Sequence, residues 1–129
     1  MSKKTNPDIS PYGTKMWFID NDLYRNALHR INGPAVVFKN GSVEWYIYGK
    51  RHHADGPAIK RANGKKEWFI NGNRHRIDGP AIEYPDGTKA WFVDGNRIPD
   101  EWIKDNIIDI TNITKEEQVL MQICWGGEL

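Results

Sequence analysis

The sequence predicts a mainly β fold: an antiparallel meander of repeated 23-residue β-hairpins in one twisted layer, closed by short C-terminal helices. Three observations predict it. His29, His52 and His75 each precede a Gly-Pro-Ala, at 33–35, 56–58 and 79–81. At constant offsets there follow Asn40-Gly41, Asn63-Gly64 or Asp86-Gly87, then a tryptophan at 45, 68 and 91, then a glycine at 49, 72 and 95. Self-similarity at such a period means one supersecondary unit copied along an array. Each copy spends its 23 residues on two strands and two turns, which leaves no room for a crossover helix, so neighbouring strands pair antiparallel.

Within the unit from Gly56 to His75, residues 58–61 are extended in character. Asn63-Gly64 supplies the two positive-φ residues of a type I′ turn, and residues 66–70 return as the partner strand. Asn71-Gly72-Asn73 makes a second tight turn, and Asp78 and Pro80 shape the run into the next copy. Along the returning strand, Trp45 and Ile47 oppose Tyr46 and Tyr48, Trp68 and Ile70 oppose Phe69, and Trp91 and Val93 oppose Phe92. Both faces then carry aromatics, more than one core requires. One file is expected to pack inside a curved sheet, and the other to lie under the terminal helix, a partner chain or a ligand.

The ends depart from the pattern. Trp17-Phe18-Ile19-Asp20 matches Trp68-Phe69-Ile70-Asn71, but 12 residues separate Trp17 from His29 where 7 separate Trp68 from His75, so residues 20–28 hold a longer loop. Pro99-Asp100-Glu101 suits a helix N-terminus, and Thr114 to Glu117 has capping-box spacing ahead of Val119, Leu120 and Ile123. The chain reads as one domain, 1–129, with hairpin repeats over 12–98 and a helical cap over 99–129. The apolar side of that cap (Trp102, Ile103, Ile107, Val119, Leu120, Ile123) calls for the open sheet edge or a second subunit, hence the expectation of a homo-oligomer joined through the helices.

Lys plus Arg number 18 against 17 for Asp plus Glu, and a net charge of +1 gives no broad pull toward long nucleic acid or an anionic membrane. One cysteine, Cys124, forms no intramolecular disulfide, residues 1–7 lack the apolar run of a secretion signal, and no apolar stretch approaches a membrane span. A reduced, cytoplasmic setting is expected.

With Trp-Tyr-Ile-Tyr-Gly-Lys-Arg-His at 45–52, Asp-Gly-Pro-Ala at 55–58 and Asn-Gly-Lys-Lys-Glu-Trp-Phe at 63–69, the chain resembles the tryptophan-rich GxxHRxDGPA hairpin-repeat proteins of tailed bacteriophages. It is similar, more distantly, to MORN repeats, whose unit also runs from a turn glycine through Lys-Arg-His to a second glycine. The likeness spans roughly residues 17–98. It implies a MORN-like single-layer twisted sheet, no catalytic residue, and a site of action in the cytoplasm of an infected host, where small accessory phage proteins often disarm defences. Attachment to membranes, or a scaffold role by analogy with MORN proteins, is disfavoured by the near-zero net charge.

Candidate chemistry points to binding. His29, His52 and His75 hold equivalent repeat positions, and no His or Cys pair has metal-ligand spacing, so a structural role is expected, with the imidazole bonding a carbonyl or the Asp or Asn three residues on, as His75 with Asp78. His53 stands where other copies have Arg30 and Arg76 and is the better functional pointer. No nucleophile elbow, phosphate loop or dinucleotide fingerprint occurs, so neither an enzyme nor a cofactor or metal site is expected. Trp45, Trp68, Trp91, Tyr46 and Phe69, beside Arg51, His53, Arg74 and Arg76, combine stacking surfaces with phosphate-directed forks and form the candidate ligand site. The expected partner is a small nucleotide-type ligand, such as a cyclic oligonucleotide or ADP-ribose-type immune signal. The alternative is a host defence protein bound and inhibited, since Trp, Tyr and Arg also dominate protein interfaces. A plainer use of the arginines is pairing with Glu44, Glu67 and Glu83.

Overall fold

The structure, a computed structural model, describes residues 6–101 and the backbone of Ser2–Lys3. The chain runs β1 (Ser2–Lys3), β2 (Asp8–Ile9), β3 (Lys15–Met16), β4 (Phe18–Asp20), β5 (Ala27–Leu28), β6 (Val36–Val37), β7 (Val43–Glu44) and β8 (Tyr46–Ile47). It continues through β9 (Lys50–Arg51), β10 (Ile59–Lys60), β11 (Lys66–Glu67), β12 (Phe69–Ile70), β13 (Asn73–Arg74), β14 (Ile82–Glu83), β15 (Lys89–Val93) and β16 (Asn96–Ile98). Nine of these form one sheet in the order β16-β15-β14-β11-β10-β7-β6-β3-β2, a plain hairpin meander. Every pairing among the described residues is antiparallel. The helices expected over 99–129, and the subunit contact assigned to them, fall on residues that, beyond 101, lie outside the described ones. Among the described residues no helix is long and apolar enough to cross a membrane.

The rest of the topology follows from a strand that passes a tryptophan. β7 and β8 are the two halves of one strand divided at Trp45, β11 and β12 are divided at Trp68, and β15 runs through Trp91 unbroken. Before the tryptophan β7 and β11 pair with hairpin arms on either side and β15 with β14, and after it each strand pairs with a short return: β8 with β9, β12 with β13, β15 with β16. At the division the amides of Trp17, Trp45 and Trp68 donate to the carbonyls of Ala35, Ala58 and Ala81 at 2.8, 2.7 and 2.8 Å, so the ladder continues past the ring.

The Asn-Gly and Asp-Gly turns depart from the geometry expected of them. Asn40-Gly41, Asn63-Gly64 and Asp86-Gly87 do not make type I′ turns, because only their glycines have positive φ (95°, 100° and 91°). Gly64 N–H bonds the Arg61 carbonyl at 2.9 Å and Arg61 N–H bonds Lys65 at 2.9 Å, a type I turn closed by a glycine bulge. The Asn63 side chain explains the choice: its oxygen accepts from Lys65 N–H at 3.0 Å, a local bond that fixes the residue in ordinary negative-φ backbone. The doubly positive pairs stand at the other turn, as Tyr48-Gly49 (46°, 81°), Asn71-Gly72 (50°, 87°) and Asp94-Gly95 (49°, 83°).

Histidines stitch each unit to the next. Nδ1 of His29, His52 and His75 accepts from the backbone N–H of Tyr48, Asn71 and Asp94 at 2.9, 3.0 and 3.0 Å, each partner 19 residues on. These replace the expected bond of His75 to Asp78. Each imidazole reaches across to the following repeat's left-handed turn residue and accepts its N–H. Gly49, Gly72 and Gly95 add amide bonds to Leu28, Arg51 and Arg74 at 2.8 Å each. The next place in the series is Ile98, fully buried. In the longer 20–28 loop, Asn21 Oδ1 accepts from Leu23 and Tyr24 N–H (2.9 and 2.7 Å), and Tyr24 stacks on Tyr48 with centroids 4.6 Å apart.

The core is a row across the sheet. Val36, Glu44, Ile59, Glu67, Ile82 and Ala90 are successive cross-strand partners, so they share one face, and all are buried. Two carboxylates in this row need partners, since a buried ion without one costs several kcal/mol, of order 3–5. Glu44 receives Arg61 at 2.7 Å and the Tyr46 hydroxyl at 2.7 Å, and Glu67 receives Arg74 at 3.1 Å and Lys65 at 3.5 Å.

Candidate functional site: two aromatic faces

The candidate residues divide between opposite sides of the sheet. Tyr46 pairs directly with Arg51, Phe69 with Arg74 and Phe92 with Arg97, which puts these six on one face. The bonds from Tyr46 to Glu44 and from Arg74 to Glu67 identify it as the face of the core row. Trp45, Trp68 and Trp91 alternate with those residues and point the other way.

On the core-row face, arginines and rings alternate along the array. The Arg51 guanidinium lies 6.0 Å from the Tyr46 ring and 5.5 Å from Phe69, and Arg74 lies 5.5 Å from both Phe69 and Phe92. Successive arginines stand one repeat apart, two strand spacings or about 10 Å. Arg74 is committed to Glu67. Arg51 is exposed and pairs with no carboxylate among the described residues, and exposed Arg97 makes only a 3.8 Å approach to Asp100. Burial pushes the Tyr46 phenol above its ordinary value near 10, and the hydrogen bond and charge of Glu44 push the same way, while the nearby Arg51 charge opposes them.

On the tryptophan face the stacked arginines are tied into the fold. Arg30 covers Trp17 and Arg76 covers Trp68, each with the guanidinium carbon 3.8 Å from the ring centroid. Each donates onward to a proline carbonyl, Arg30 to Pro34 at 3.1 Å and Arg76 to Pro80 at 3.0 Å. Arg76 also bonds Asp78 at 2.9 Å and Glu83 at 3.0 Å. Beneath the guanidinium lies the glycine of Gly-Pro-Ala. A β-carbon on Gly33 or Gly79 would stand 2.9 or 2.8 Å from the arginine Cζ, so close approach rather than φ demands glycine there. The repeated phrase thus encodes a sandwich of indole, guanidinium and bare backbone.

His53 reproduces the arrangement with different chemistry. Its ring lies 3.7 Å from Trp45 and 7° from parallel, and Nδ1 donates to the Pro57 carbonyl at 2.9 Å. That nitrogen carries its proton, whereas Nδ1 of His52 and His75 is bare. Trp91, half-buried, has Pro99 at the position of the stacking cation.

Between the loops that carry these stacks the tryptophan face is grooved. One groove of about 700 Å³ lies between loops 53–57 and 76–80, floored by Trp68 and Ile70. A second, of about 560 Å³, lies one repeat earlier against Trp45 and Ile47. Sequence reasoning named the tryptophans and His53 but not the groove walls, Asp55 and Ile31. The signal was present in the five residues before each Pro-Ala, where the copies differ. Among the described residues no three His, Cys, Asp or Glu side chains gather as metal ligands would. No family model, curated protein or solved structure matches the chain.

Proposed function

We propose that the chain is a non-enzymatic binding protein that holds a small nucleotide on the core-row face of its sheet. Arg51 carries this reading: an exposed guanidinium between two aromatic rings, with no carboxylate among the described residues to neutralise it, one repeat from Arg74 and two from Arg97. Planar bases stack on such guanidinium and aromatic surfaces, and phosphates accept from the guanidinium fork. Arg30 and Arg76 on the tryptophan face already donate into the fold, and Arg74 on the other face is held by Glu67, so the anion-seeking part of the candidate site centres on Arg51, with Tyr46, Phe69 and Phe92 as stacking surfaces and Arg97 beside them. The resemblance to phage hairpin-repeat proteins supplies a biological setting: a counter-defence factor sequestering a cyclic-oligonucleotide or ADP-ribose-type signal in the host cytoplasm.

Isothermal titration against cyclic oligonucleotides and cyclic ADP-ribose isomers tests it. Binding of one class below about 10 μM, roughly −7 kcal/mol, with loss in Arg51→Glu, is expected. No binding by either class, or binding indifferent to Arg51→Glu, would overturn the reading.

A further inference from the structure

The loops over the tryptophan face read Arg-Ile-Asn-Gly-Pro at 30–34, His-Ala-Asp-Gly-Pro at 53–57 and Arg-Ile-Asp-Gly-Pro at 76–80. The middle copy departs twice, and both departures have a structural effect. In the third copy Arg76 Nε bonds Asp78 at 2.9 Å. In the second, His53 keeps the stack on Trp45 and the bond to Pro57 but has no group corresponding to that Nε, and Asp55 is left exposed, without a hydrogen bond or ion pair among the described residues. Ala54 stands where Ile31 and Ile77 project, 61% and 45% exposed. Ala54 and Asp55 line both grooves, so the small side chain leaves the two hollows adjoining across loop 53–57, with one unneutralised carboxylate between them.

The geometry points to this double groove as a docking site for an extended segment of a partner protein, with a lysine or arginine seated on Asp55 and an apolar side chain in each hollow. Charge complementarity selects the cation, and the Trp45/Ile47 and Trp68/Ile70 floors select apolar flanks. The spacing selects a polyproline-II segment: the hollows repeat at two strand spacings, about 10 Å, which three residues of that helix cover at about 3.1 Å each with the first and fourth side chains on the same side. The segment therefore reads apolar, two residues of which one is basic, apolar. The site is independent of the arginine ladder on the opposite face.

Panning a random hexapeptide display library against the full chain tests this, followed by tryptophan-fluorescence titration of the selected peptides. Enrichment of Lys or Arg between two apolar positions is expected, with binding weakened at least about tenfold by Asp55→Asn. His53→Arg is the sharper variant, since Arg30 and Arg76 show that arginine fits this position. It keeps the fold, supplies Asp55 with an internal partner, and should weaken the same peptides comparably. Arg51→Glu should leave them unaffected, which separates this site from the nucleotide reading. No basic enrichment, or peptides bound equally by wild type, Asp55→Asn and His53→Arg, would overturn the proposal.

Discussion

His53 lies flat against Trp45, ring centroids 3.7 Å apart, in the place where Arg76 covers Trp68 at 3.8 Å. Two side chains of different shape solve one packing problem because both are planar, both are able to donate to a proline carbonyl, and both rest above a glycine. The glycines should therefore differ in sensitivity. A β-carbon at Gly79 meets Arg76 Cζ at 2.8 Å, whereas at Gly56 it meets His53 Cε1 at 3.3 Å. Gly79→Ala should cost about 1–3 kcal/mol through displaced guanidinium bonds, and Gly56→Ala visibly less, as read from urea midpoints at unchanged m.

The histidine stitches predict a second effect. His52→Ala and His75→Ala each remove the acceptor of a turn N–H, at Asn71 and Asp94 respectively. Each should lower stability by about 1–2 kcal/mol, and amide exchange should accelerate at the orphaned N–H of the following repeat rather than at the mutated residue. Equal acceleration along the whole array would contradict a local stitch.

Left-handed backbone at Asn71, φ 50°, sets a third expectation. Asn71→Gly should be close to neutral, while Asn71→Val should cost about 1–2 kcal/mol, because a branched β-carbon clashes with the following carbonyl there. Thermal midpoints of the two variants check the order.

Tyr46 gives a pH dependence of defined sign. Its folded pKa is raised above the ordinary phenol value by burial first and Glu44 second. Its contribution is therefore intact below about pH 10 and is lost as pH climbs from there through the folded pKa, because the unfolded chain releases the proton first. Denaturation at pH 9 and pH 11 should show a smaller drop for Tyr46→Phe than for wild type.

The division into faces predicts a fourfold pattern. Arg51→Ala should leave the thermal midpoint within the range of surface substitutions and reduce nucleotide affinity about tenfold or more. Arg76→Ala should do the reverse, since it strips the cover of Trp68 and bonds to Pro80, Asp78 and Glu83. Calorimetry on the two proteins, with and without ligand, supplies all four numbers.

The meander and its alternation were legible because turn residues and aromatics recur together, and period-two logic places Trp68 opposite Phe69 without further information. Less of the turn chemistry was readable. An Asn-Gly pair fits either a type I′ turn or a type I turn with a glycine bulge, and the bond from Asn63 to Lys65 N–H decides between them. The stitches were hidden by distance, since nothing near His52 in sequence announces an acceptor site for Asn71. The side taken by His53 and Arg76 was hidden too. They lie in loops, where strand alternation no longer dictates direction, so cations beside aromatics in sequence were grouped into one site although the fold sends them to two sides. The plainer pairing of arginines with glutamates holds for Arg61 with Glu44, Arg74 with Glu67 and Arg76 with Glu83, and among the described residues leaves Arg25, Arg30, Arg51 and Arg97 without a glutamate.

The bond from each histidine to the turn 19 residues on has an evolutionary consequence. Every seam is made by the same atoms, so excising or duplicating one whole 23-residue unit recreates a seam identical to those it removes, provided Ile98 and its surroundings still end the array. Length then becomes a variable that recombination can change without a new folding solution. Variation between copies, such as His-Ala in place of Arg-Ile, becomes the means by which otherwise interchangeable units acquire separate tasks.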